Sequence, residues 1–127
     1  MPSGAYEQNL QCHSIPANAD LSTKQHLFVN VNSSGKLVVA GDGGQAIGVL
    51  QDKPNAADQQ GTVGISGVSM VIAGGTVTAG GIVASDASGR AVDVVSGDMG
   101  LGKALTGTTV SGDLISVLLM PQLGKVW

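Results

Sequence analysis

Twenty glycines in 127 residues set the first limit on what this chain can fold into. Each glycine inside a helix costs about 1 kcal/mol relative to alanine, so a helical bundle is disfavoured at once. The glycines do not recur at every third position, which removes a collagen-like rod. Val, Ala, Leu and Ile supply the apolar volume, because Tyr6, Phe28 and Trp127 are the only aromatic residues. A chain of this length hides roughly two-thirds of its unfolded surface on folding, enough for one core without staples. Short strands joined by tight turns use glycine best, since it takes positive φ without a Cβ clash.

The order of residues agrees. Residues 27–32 alternate apolar and polar, Ser33-Ser34-Gly35-Lys36 turns, and residues 37–40 continue as a strand. Asp42-Gly43 marks another turn before the apolar run 46–50. Residues 62–67 and 68–72 read as two further strands, and residues 53–58 as a loop or one helical turn. Phe28-Val29 through Gly35-Lys36-Leu37-Val38 to Ile47-Gly48 then returns, 54 residues later, as Ile82-Val83 through Gly89-Arg90-Ala91-Val92 to Leu101-Gly102. The expected architecture is all-β, a small barrel or sandwich of two similar three-stranded units, repeating over about residues 28–67 and 82–120. Residues 1–20 lack a period of 2 or 3.6 and read as an extended N-terminal arm before a single β domain over 21–127.

Charge and chemistry exclude more than they select. Six basic residues, scattered singly, against nine acidic ones give a formal charge of −3, so no basic stripe suits nucleic acid. The uncharged stretch 59–85 holds seven Gly and six Ser or Thr, too polar for a membrane helix. No basic region followed by an apolar run opens the chain, so no secretory leader is expected. Cys12 is the only cysteine, which excludes an intrachain disulfide and suits a reducing compartment.

Gly64-Ile65-Ser66-Gly67-Val68 lacks the last glycine of a hydrolase elbow, and Cys12 and His13, adjacent on an extended chain, point apart. Cys12, His13 and His26 lack metal-ligand spacing. Asp42, Asp86, Asp93, Asp98 and Asp113 fall at turns, where such residues bond backbone amides rather than calcium. Gly35-Lys36, Gly102-Lys103 and Gly124-Lys125 lack the upstream glycine of a phosphate loop. Neither an enzyme nor a cofactor is expected.

Ala19-Asp20-Leu21-Ser22-Thr23, then Phe28-Val29 to Gly35-Lys36, then Ile47-Gly48-Val49-Leu50-Gln51-Asp52-Lys53-Pro54 resemble the first half of bacteriophage capsid cement, or head decoration, proteins. Val71-Ile72-Ala73-Gly74-Gly75, Val83-Ala84-Ser85-Asp86-Ala87-Ser88-Gly89-Arg90-Ala91 and Gly112-Asp113-Leu114-Ile115-Ser116-Val117-Leu118-Leu119 extend the resemblance to the second half. It covers nearly everything from Ala19 to Pro121, and it rests on the order of turn-like motifs. The resemblance implies a homotrimeric structural virion protein, made in the host cytoplasm. It would sit outside the expanded phage head and clamp neighbouring major capsid subunits.

An arm with Tyr6, Leu10 and Ile15 as spaced anchors could add to a capsid sheet edge, and Trp127 could serve the same contact. The alternative is a small non-catalytic binding module, such as a glycan-binding domain on a virion surface or tail. Glycan sites favour exposed aromatics, and Tyr6 and Trp127 are few and terminal.

Overall fold

The computed structural model describes residues 5–125, with side chains through Met120. Nine strands run in chain order: β1 (Gln8–Pro16), β2 (Phe28–Val31), β3 (Leu37–Val39), β4 (Gly48–Leu50), β5 (Gln60–Ile72), β6 (Ile82–Ser85), β7 (Ala91–Asp93), β8 (Met99–Ala104) and β9 (Leu114–Lys125). No helix occurs among the described residues, and residues 53–58 form a loop. The strands join in one antiparallel sheet of order β3-β2-β4-β5-β9-β8-β6-β7, curled into a half-barrel, with β1 added along β5. The expected all-β class is thus met by one curled sheet.

The strand order reads the same from either end toward the central β5–β9 pair. Registers follow the same rule. Val29 lies opposite Gly48 and Val83 opposite Gly102; Val31 lies opposite Leu37 and Ser85 opposite Ala91. Each partner in the second half stands 54 residues after its counterpart. The turns match atom for atom. Asn32 Oδ1 accepts from the Ser34 and Lys36 amides, and Asp86 Oδ1 from those of Ser88 and Arg90, before Gly35 and Gly89 at φ 77° and 79°. Such side-chain turns favour Asn and Asp at the first position and glycine where φ is positive.

Within the stretch read from sequence as an extended N-terminal arm, residues 8–16 form a strand of the same sheet. β1 pairs with β5 from Pro16 opposite Gln60 to Gln8 opposite Val68, with bulges near Gln11. Most of its side chains are exposed on both faces, which is why no alternation appears in the sequence. β5 itself is one 13-residue strand where the pattern suggests two. Gly67, at φ 97°, lets it bend without ending. The pairing with β1 runs along β5 from Gln60 to Val68 and that with β9 from Gly67 to Ile72, the two overlapping at Val68.

Two apolar clusters lie inside the curl. The larger joins Phe28 and Val49 of the first half to Val83, Leu101, Ile115 and Val117 of the second. The smaller, with Leu21, Leu37, Leu50 and Val63, belongs to the first half alone. Each buried side chain of this size contributes roughly 1.5–3 kcal/mol. Backbone bonds also tie the halves: Phe28 donates to the Gly89 carbonyl at 2.8 Å, Gly43 to Ser85 at 2.8 Å, and Met99 to Gly43 at 3.0 Å.

Candidate functional site

The turn carboxylates behave as structural groups. Asp86 is committed to its own turn, Asp93 accepts from the Thr78 amide and hydroxyl, and Asp98 accepts from the Val95 amide. Cys12 and His13 sit opposite Gly64 and Val63, so their side chains leave β1 on opposite faces. Partial burial, and then the negative charge of Glu7, push the Cys12 thiol above its usual range, the reverse of what a nucleophile needs. Among the described residues, no group of three or more His, Cys, Asp or Glu is placed to hold a metal ion. No helix among them is long and apolar enough to cross a membrane.

The surface is more informative than any cleft. Tyr6, Val95, Leu105, Val110 and Leu118 are the large apolar residues exposed among the described ones, at 37–63%. Three of them gather around Ser116, whose side chain is fully buried. Ser116 Oγ donates to the Tyr6 carbonyl at 2.8 Å and accepts from the Tyr6 amide, fastening the segment before β1 onto β9. Leu118 follows on the same face of β9, opposite Lys103 of β8. Leu105 donates its amide to the Ser116 carbonyl at 2.8 Å. Tyr6, Leu105 and Leu118 therefore surround one point.

Of the expected anchors among the described residues, Tyr6 is the one presented to solvent. Leu10 packs against the larger cluster and Ile15 against the smaller, so both hold β1 to its own sheet. Trp127 lies outside the described residues. Leu105 and Leu118 were not foreseen, although the repeat carries their signal. The first half has Gln51 and Gly64 at those positions, and Gly41 and Ala56 where the second has Val95 and Val110. At Gly64 the first half is covered by Leu10, whose side chain occupies the space a Cβ would enter.

The described residues thus form one curled antiparallel sheet of two matching halves, with the exposed large aliphatic residues confined to the second half. Residues 19–119 match the phage cement protein family, and the chain belongs to that family. It is a structural protein of the phage virion, on the capsid exterior. No curated protein matches the chain. Among solved structures, the N base of the head fiber gp8.5 of bacteriophage phi29 shares the fold. Its TM-score is 0.68 at 16% identity, over 93% of this chain and 98% of that one.

Proposed function

We propose that this protein binds the major capsid protein on the outside of the expanded head and stabilises contacts between neighbouring capsid subunits, acting as a homotrimer. The observation that carries this reading is the placement of exposed aliphatic residues. Leu105, Leu118, Val95 and Val110 all lie in the second half, where the first half has Gly, Ala or Gln. Leu105 and Leu118 lie on neighbouring stretches of the β8–β9 chain around Ser116, and adjoining exposed apolar groups favour association. Tyr6, fixed to Ser116, adds an aromatic contact to the same surface. The second half faces the head in this arrangement, and the first half faces outward.

Co-sedimentation with expanded, undecorated heads tests the proposal. Wild-type protein is expected to pellet with the heads, and Leu105→Asp with Leu118→Asp to remain in the supernatant while keeping the native circular dichroism spectrum. A wild-type protein that stays in the supernatant would sink the proposal. Equal pelleting of the double variant would remove the second half as the contact. Native mass spectrometry of the free protein reads the trimer directly.

A further inference from the structure

The two halves differ at one corner, and the differences converge on a cavity. A cavity of about 350 Å³ is lined by residues including Ser22, Thr23, His26, Lys53, Ile72 and Leu114. Four of these six are departures from the repeat. Leu21 donates its amide to the Pro54 carbonyl as Val77 does to Thr108, and Leu27 donates to Lys24 as Gly81 does to Thr78. Val77 and Thr78 are consecutive, so Ser22 and Thr23 are two residues that the second half lacks.

His26 donates its amide to the Leu50 carbonyl as Gly80 does to Ala104, each at 2.7 Å. It therefore stands, at φ 65°, where the second half has a glycine at φ 86°. Lys53 corresponds to Gly107, where any Cβ would run into the Val77 carbonyl and the Ala79 amide. The second half thus has no room for a side chain at the position from which Lys53 reaches the cavity.

The His26 departure is not what stability alone selects. A left-handed backbone at a non-glycine residue costs on the order of 1–3 kcal/mol. The His26 ring adds a buried Nδ1 with no hydrogen-bond partner among the described residues. Strain and an unsatisfied polar atom at one corner mark a site kept for something other than folding.

The lining states what fits. Ser22 is engaged with Asp20 through its amide, and the Gln25 side-chain amide with the Gln51 carbonyl at 2.9 Å. The Lys53 ammonium and the Thr23 hydroxyl make no hydrogen bond or ion pair to another described residue, and Ile72 and Leu114 give an apolar wall. A cation and a hydroxyl beside an aliphatic surface recognise a carboxylate on a short alkyl stem. We propose that the first half holds an alkyl-carboxylate-binding site, with Lys53 pairing the carboxylate and Ile72 and Leu114 packing the stem. The ligand is a free carboxylic acid anion or the side chain of an acidic residue, which share this chemistry. The site does not depend on head binding.

Nuclear magnetic resonance titration of the full chain with butyrate tests it. Saturable shifts are expected at the His26 and Gln25 amides and the Ile72 and Leu114 methyls. Lys53→Ala is expected to weaken binding about tenfold or more, and Lys103→Ala to leave it unchanged. A titration with n-butanol, which has the same stem and no charge, is expected to give no saturation. A capped tripeptide with central Glu that displaces butyrate assigns the site to an acidic side chain, and failure to displace assigns it to a small acid. Unsaturable butyrate shifts, equal saturation by n-butanol, or unchanged affinity in Lys53→Ala would overturn the proposal.

Discussion

At Gly48 and Gly102 two strands approach so closely that a side chain has nowhere to go. A Cβ on Gly48 would collide with the Gly64 carbonyl oxygen, and one on Gly102 with that of Leu118. Gly48→Ala or Gly102→Ala is therefore expected to destabilise the protein by about 1–3 kcal/mol, read as a lower urea midpoint at constant slope. His26 gives a residue-scale pH dependence. Burial holds its imidazole below the usual 6.5, against the opposing effects of Glu7 and a Met70 backbone hydrogen bond, and Lys53 lowers it further. The unfolded chain then binds a proton that the native state resists, so stability falls as pH drops from about 6.5 toward the lowered native value. His26→Asn removes that proton and tolerates positive φ, and its urea stability is expected to vary less with pH over this window.

β1 differs from the other strands in what holds it. It is exposed over most of its length, and its side-chain fastenings include Leu10, Ile15, the Tyr6–Ser116 bonds and the hydrogen bond that Ser66 Oγ donates to Gln11 Oε1 at 3.3 Å. Native-state hydrogen exchange is expected to open β1 at a lower free energy than β5 or β9. Equal protection of all three would show that β1 is part of the global unfolding unit. The same feature explains what the sequence concealed. The Ser-Gly-basic turns at Gly35 and Gly89 were legible because turn chemistry is local and residue-specific. β1 was not, because a strand exposed on both faces and interrupted by bulges leaves no alternation to read. The continuity of β5 was hidden for a related reason, since a bend at Gly67 and a break between two strands look alike in sequence.

Across the whole molecule, the larger cluster draws side chains from both halves, so neither half has a complete core of its own. Phe28→Ala is expected to cost about 3–5 kcal/mol and to lower the unfolding midpoint of both halves together. Exchange-labelled fragments from β4 and β8 provide the two probes. Loss of protection in β4 alone would mean that the halves unfold separately. The surface around Ser116 was out of reach of sequence reasoning because it has no chemical signature. Leu105 and Leu118 look like core residues in the sequence, and only the fold shows that they face out.

β5 completes the first half with residues 60–66 and opens the second with residues 67–72, and a strand shared in this way changes how the molecule carries load. Tension applied along β5 is met by β1, β4 and β9 together, whose hydrogen bonds are strained in shear and must fail as a group. Tension applied across the sheet peels the edge strands β3 and β7 away one bond at a time. The protein is therefore stiff in one direction and weak in the other. Its value against an outward-pushing shell depends on the compass bearing at which it is mounted.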